Sequence, residues 1–214
     1  MLVVAHKVVS KAEGRTVVLS TVAPGPAALR LSRETGKDAA LCELILAESR
    51  RIIRRRRATL IVETHHGFVC ANAGIDSSNT ATGSVILLPR DPDASARRLQ
   101  APLADVAGGR VGVVVCDTHG RAFRRGLVNV AIGVAGFEAV EDHRGTRDRE
   151  GRVLVATEQA IADELAAASG LLMPKGGGTP AVLFSGVSTT PSPGGAAALI
   201  RDPEHDLFRG STAD

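Results

Sequence analysis

The stretch Glu63-Thr-His-His-Gly-Phe-Val-Cys-Ala-Asn-Ala-Gly-Ile-Asp-Ser-Ser-Asn79 decides how the chain is read. It lies between two apolar runs, Thr59-Leu-Ile-Val62 and Ser84-Val-Ile-Leu-Leu88. Runs rich in Val, Ile and Thr and bounded by Gly, Asn, Asp and Ser read as strands. Between them Gly67, Asn72, Gly74, Asp76, Ser77, Ser78 and Asn79 stand beside His65 and His66. A connection this long inside a compact domain is functional or disordered. Its mixture of apolar and oxygen-bearing residues argues for a binding loop.

Upstream, residues 2–9 read as a strand, residues 10–15 as a polar turn and residues 16–20 as a second strand, together a hairpin. Residues 22–37, with Pro24, Gly25, Pro26 and Gly36, read mainly as loop. Asp38 is a good N-cap for a helix through about Arg55. The run Arg54-Arg-Arg-Arg57 then places cations opposite the negative end of the helix dipole, each contributing roughly 0.3–1 kcal/mol. That reading is preferred to nucleic-acid binding.

Downstream, Pro89-Arg-Asp-Pro92 turns into a helix to about Val106, and residues 111–116 form a strand buried on both faces. A second polar cluster, residues 117–126, follows, then small apolar residues over 128–137 suited to close packing. Residues 141–151 read as an exposed loop, and Thr157 as the cap of a helix over 158–169. Residues 174–180 form a glycine loop, residues 181–184 a last strand, and a short tail ends near Phe208. No repeat or linker divides the 214 residues, which read as a single domain.

Composition narrows the class. Hydrophobic residues make up 44% and charged residues 23% of the chain, enough for a real core. Five Phe and no Trp or Tyr leave the core to Val, Leu, Ile and Ala, which favours strand-rich packing. A net charge of +3 and few aromatic platforms argue against a nucleic-acid partner. Cys42, Cys70 and Cys116 are widely spaced with no Cys-x-x-Cys pair, which points to a reducing cytoplasm rather than a disulfide framework. The apolar run at the amino terminus is too short for a signal peptide or a membrane span.

The two polar clusters carry Asp76 and Asp117, each beside a strand-like run, where ligand sites gather in sheet folds. Two carboxylates with Asn79 and Thr118 as neutral oxygens suit Mg²⁺ or Mn²⁺. A zinc hydrolase site from His65, His66 and His119 is the rival. Adjacent histidines point apart on an extended chain, and no His-x-x-x-His pair supports it. Lys7, Lys11, Arg15 and Lys175 lie in or beside turns, and Lys175 leads into Gly176, Gly177 and Gly178. Exposed backbone N–H groups beside a lysine suit an anion, although no Walker loop or Gly-x-Gly-x-x-Gly is present.

With those residues in view, the chain resembles the coenzyme F420-0:γ-glutamyl ligase family. The likeness runs through residues 7–15, 66–79, 88–92, 117–124, 130–136, 163–166 and 199–209. It implies an α+β fold of mixed β-sheets with flanking helices, assembled as an intertwined homodimer. It implies GTP-dependent joining of L-glutamate to the carboxylate of coenzyme F420-0 or its dehydro form, with later glutamates added in γ-linkage. Two divalent cations, Mg²⁺ or Mn²⁺, and K⁺ are the cofactors of the pattern. On that pattern Asp76, Asp117 and Thr118 hold the metals. His6, Lys7, Lys11 and Asn79 contact the nucleotide, as does the loop with Leu172, Met173, Lys175, Gly176, Gly177 and Gly178. Arg121, Arg124 and Arg125 are further candidates for binding substrate carboxylate or phosphate. The pattern also has some tens of residues before the Lys7 motif, including a loop on GTP. Without that segment part of the nucleotide site is expected to be missing, and a non-catalytic remnant or a metal phosphohydrolase are the alternative functions.

Overall fold

The computed structural model describes residues 1–206. From the amino terminus, β1 (Leu2–Ala5) runs directly into α1 (His6–Ala12), followed by β2 (Thr16–Val18). Helices α2 (Pro26–Thr35) and α3 (Ala39–Ala47) lead to β3 (Ser49–Arg56), β4 (Thr59–Thr64) and β5 (Val69–Ala71). After β6 (Ser84–Ile86) come α4 (Pro92–Ala107) and the long pair β7 (Val113–Arg121) and β8 (Arg124–Ala135). Two short strands, β9 (Glu141–Asp142) and β10 (Glu158–Gln159), precede α5 (Ile161–Ser169) and β11 (Ala181–Leu183).

The architecture is α+β, with a mixed four-stranded sheet in the order β11-β1-β7-β8 and a three-stranded sheet β3-β4-β5. Pairs β2-β6 and β9-β10 complete it. Alternation along the central strands sends side chains to two helical layers. On one face Val113, Val115 and Ile132 pack with Ala96 of α4. On the other Val3, Val114 and Val134 pack with Ala162, Leu165 and Ala166 of α5. A third cluster seats Leu60 and Val62 of β4 on Ala28 and Leu31 of α2 and on Cys42 and Ile45 of α3. Among the described residues no helix is long and apolar enough to cross a membrane.

Several expected elements are corrected. The strand from Leu2 stops at Ala5, and His6, Val9 and Ser10 are buried at helical spacing in α1. A short apolar run does not distinguish the two periods. No hairpin joins it to residues 16–20, because β1 pairs in parallel with β7 and β2 pairs with β6. The segment read as loop contains α2, with Pro26 in its first turn and Gly36 left-handed at its end, so its Pro and Gly are cap residues. Asp38 does cap α3, its carboxylate accepting from the Leu41 N–H at 2.9 Å, but that helix ends at Ala47. The arginines that follow belong to β3, where pairing with β4 overrides helix propensity. The helix-dipole reading of Arg54–Arg57 is therefore overturned. Helix α5 begins at Ile161, because Glu158 and Gln159 pair with β9, and Thr157 caps nothing there. Residues 117–126 are the far arm of the β7–β8 hairpin rather than a loop. The expected end of the tail near Phe208, and its motif beyond residue 206, lie outside the described residues.

Strand β8 is a sheet edge, and two of its N–H groups are taken by carboxylates. Asp93 accepts from Val134 and Ala196 at 2.8 and 2.9 Å, and Asp163 accepts from Ala131 at 2.8 Å. Burial pushes the Asp163 carboxyl up, an effect the Ala131 N–H opposes. A carboxyl with a raised pKa binds more protons folded than unfolded, so stability falls as pH rises from the unfolded value of about 3.9 through the raised one. Asp163→Asn keeps an acceptor for Ala131 and should flatten that slope in urea unfolding between acid and neutral pH. Asp163→Ala should lose about 1.5–3 kcal/mol, because it strands the N–H.

Candidate active site

The site is set by the parallel pairing of β1 with β7. Their register aligns Ala5 with Cys116, so the next residues, His6 and Asp117, stand level at the same end of the two strands. That end is where parallel sheets place ligands. The chain turns into α1 there, which presents His6 and then Lys7 and Lys11 to a cavity of about 260 Å³. Its walls also carry Asn79, Thr118, Asn129, Met173, Lys175 and Gly178. The volume falls just below the roughly 300–1,000 Å³ usual for small-molecule sites.

Asp117 is the electrostatic centre. Its Oδ2 is 3.1 Å from His119 Nε2 and its Oδ1 is 3.2 Å from His6 Nε2. Burial opposes its charge, yet the imidazoles of His119 and His6 hold the carboxyl well below the usual carboxylate range. The His6 contact is close but poorly aligned, leaving this buried nitrogen without a proper hydrogen bond. Thr118 donates its hydroxyl to Asn129 Oδ1 at 2.9 Å and accepts from Lys175 Nζ at 2.8 Å. Lys11 Nζ donates to the Asn79 carbonyl at 2.7 Å, and Asn79 Nδ2 donates to the Lys175 carbonyl at 3.4 Å.

Asp76 does not line this cavity; it borders it through Lys7, whose Nζ lies 2.7 Å from Oδ2 and donates to Ser78 Oγ at 2.5 Å. Burial raises the Asp76 carboxyl, but Lys7 and Ser78 outweigh it and the net shift is downward. Three lysines thus approach from two segments, Lys7 and Lys11 from α1 and Lys175 from the glycine loop, each held by a side-chain or carbonyl oxygen of the chain.

Other expected residues fall elsewhere. Leu172, Gly176 and Gly177 belong to the Lys175 loop but do not line the cavity, and Leu172 is exposed. Arg121, Arg124 and Arg125 lie at the far tip of the β7–β8 hairpin, outside the cavity wall. Arg15 is occupied by Glu48 at 2.7 Å and by the Leu88 carbonyl at 2.8 Å. His65 Nε2 meets the Ala47 carbonyl at 2.8 Å, and His66 Nε2 the Pro89 and Arg90 carbonyls at 3.0 and 3.1 Å. Carbonyls only accept, so both rings carry their proton on Nε2 and act as ties between loops. The zinc reading fails on this dispersal, since His119 alone of the three reaches the site. Cys116 also borders the cavity, but burial pushes its thiol up to about 12, which rules out a ready thiolate nucleophile. Asn129 escapes sequence reasoning; a lone amide within the apolar residues 128–137 is the signal that marks it.

The donor set suits a hard divalent cation. Among the described residues no three His, Cys, Asp or Glu side chains form a ready-made metal cage. Mg²⁺ is commonly bound by one or two carboxylates with substrate phosphates and water completing its shell. An ionised Asp117, the Thr118 hydroxyl oxygen and a nearby Asp76 fit that pattern, and the buried His6 Nε2 beside Asp117 Oδ1 is left without a hydrogen bond.

Comparison with known proteins places the chain in a family. The model of the family described as F420-0:Gamma-glutamyl ligase matches residues 1–186. The coenzyme F420:L-glutamate ligase of Methanothermobacter thermautotrophicus is 47% identical over 213 residues, covering 98% of this chain and 84% of the relative. Its namesake in Methanopyrus kandleri is 46% identical over 98% of this chain and 85% of its own. That of Methanocaldococcus jannaschii is 40% identical over 98% and 84%. The chain therefore belongs to the F420-0:γ-glutamyl ligase family.

Proposed function

We propose that this protein joins L-glutamate to coenzyme F420-0, with GTP as the phosphoryl donor, and adds further glutamates in γ-linkage. The observation that carries the reading is the convergence of an ionised Asp117 with Thr118, Lys7, Lys11 and Lys175 on one cavity. The relatives' name supplies the substrate class.

A carboxylate does not accept an amine until it carries a leaving group. Transfer of the GTP γ-phosphoryl to the acceptor carboxylate makes an acyl phosphate, and the glutamate amine then attacks the acyl carbon and expels phosphate. Phosphoryl transfer asks the protein mainly for positioning and charge neutralisation. Lys7, Lys11 and Lys175 meet the phosphate oxygens, and the peptide N–H groups around Gly178 add neutral donors. Asp76, Asp117 and Thr118 hold the divalent cations, Mg²⁺ or Mn²⁺, which when bound neutralise phosphate charge. The site works within a homodimer of single-domain chains, with K⁺ as an activator.

The test is incubation of the protein with GTP, Mn²⁺, L-glutamate and coenzyme F420-0. Glutamate-dependent GDP release and a product heavier by one glutamate are expected. Absence of both overturns the proposal, and GDP release without glutamate favours a phosphohydrolase. Lys175→Ala should raise the KM for GTP by about 10–100-fold, the loss of one charge-assisted contact worth roughly 1.5–3 kcal/mol, while the thermal melt stays unchanged. An unaltered KM would remove Lys175 from the phosphate site.

A further inference from the structure

Of the arginine run left over from the site, Arg54 and Arg56 sit on the outer face of β3. Register pairs Arg54 with Ile61 and Arg56 with Thr59, so these four side chains share one face of the β3–β4 hairpin. Leu60 and Val62 take the opposite face, against α2 and α3. The six arginines of this region divide by their partners rather than by face. Arg50 and Arg51 pair with Glu63 at 3.8 and 2.9 Å, and Arg55, opposite Leu60, reaches Glu34 of α2. Among the described residues Arg54, Arg56 and Arg57 have no acidic partner. These three, with Thr59 and Ile61, line an open hollow of about 390 Å³.

We propose that the hollow of Arg54, Arg56 and Arg57 on the β3–β4 hairpin binds a compact oxyanion carrying two or more negative charges, a phosphate or a polycarboxylate. Like charges gathered within about one Debye length, roughly 8 Å at physiological salt, repel and gain from a shared counter-ion. Guanidinium groups match phosphate and carboxylate oxygens in bidentate geometry. Arg54 and Arg56 stand two residues apart, about 6.6–6.8 Å along a strand, a spacing that suits an anion with two charged groups better than one with a single charge. Arg57 completes the array from the turn, where its φ is +52°. Charge on an edge strand also deters edge-to-edge pairing, but that role needs no hollow and no clustering of the unpaired arginines on one face. The site is distinct from the cavity at Asp117, with which it shares no residue.

The proposal is tested on the whole protein by calorimetric titration with pyrophosphate and, separately, with tri-glutamate, at fixed ionic strength set by chloride. The combined Arg54→Gln, Arg56→Gln, Arg57→Gln variant should weaken at least one of these probes by at least about tenfold, each lost charged contact being a strong one. Loss of pyrophosphate alone assigns a phosphate ligand, and loss of tri-glutamate alone a polycarboxylate. Lys175→Ala should leave this binding in place, which separates the hollow from the proposed GTP site. Arg57→Gly guards against misfolding: glycine suits the left-handed turn, so it should keep or raise stability while still weakening the anion. Unchanged binding in both variants, or wild-type binding no stronger than to chloride, overturns the proposal. Aggregation of the triple variant, with no anion bound by the wild type, would reduce the arginines to edge protection.

Discussion

Asp117→Asn should abolish glutamate-dependent GDP release while leaving a cooperatively folded protein. The carboxylate is nearly enclosed, yet it stays ionised because His119 and His6 approach its two oxygens. An amide has almost the same shape, so the cores formed by Val114 and Val115, just before it in β7, remain filled. The amide cannot supply the negative charge the proposed cations require, and its NH₂ group faces an imidazole where an acceptor stood. Loss of one preorganised electrostatic group in a site of this kind lowers turnover by about 10²–10³-fold, and loss of metal affinity adds to that. The checks are steady-state turnover at saturating Mn²⁺ and a thermal melt on the same sample. Turnover within a few-fold of wild type would remove Asp117 from the chemistry. A lost melt would show that the carboxylate is structural, and Asp117→Glu would then separate charge from shape.

The sequence makes some of this legible for physical reasons. Val113–Cys116 is apolar without alternation, and such a run can only be buried on both faces, as it is between α4 and α5. Pro92 and Asp91 mark the start of α4, and Asp38 the start of α3, because caps are local chemistry. The α2 region misleads because Pro26 and Gly36 at the two ends of a helix look like loop when counted as composition. The β3 arginines mislead because only pairing with β4, outside their own window, makes them strand. At the site, Asp117, Thr118, Lys7, Lys11, Asn79 and Lys175 are each marked by local polarity. That they meet depends on the parallel register of β1 and β7, which no local pattern specifies. His6, expected beside the nucleotide, lines the same cavity and lies 3.2 Å from Asp117 there. The opening stretch reads as one long loop between its flanking strands, but β5 pairs there with β4 and splits it into a short turn with His65 and His66 and the Asn72–Asn79 segment.

Gly133→Ala should be the most destabilising small substitution in the central sheet. A Cβ built there would lie 2.3 Å from the Pro92 carbonyl oxygen and 2.5 Å from its carbon. Both are backbone atoms at the first turn of α4, so no side chain can rotate away, and helix and strand must part. Parting breaks the reach of Asp93 to the Val134 and Ala196 N–H groups. It also opens the cluster in which Val115 and Ile132 pack on Ala96. Overpacking typically destabilises by about 1–3 kcal/mol and occasionally more, and an unyielding backbone contact puts this case at about 3 kcal/mol or above. For a chain of this size that lowers the melting temperature by roughly 6–12 °C, at about 2–4 °C per kcal/mol. Gly133 faces Val115 in the β7–β8 register, and Asp117 is two residues further along β7. A shift at Gly133 is therefore transmitted to the carboxylate, and turnover measured below the melt should fall as well. Gly109→Ala is the control: nothing lies within 4 Å of the point its Cβ would occupy, and its effect should stay within about 0.5 kcal/mol. Equal melts for the two variants would mean that α4 does not rest on β8 as closely as this contact requires, and that the edge bonds of Asp93 are dispensable.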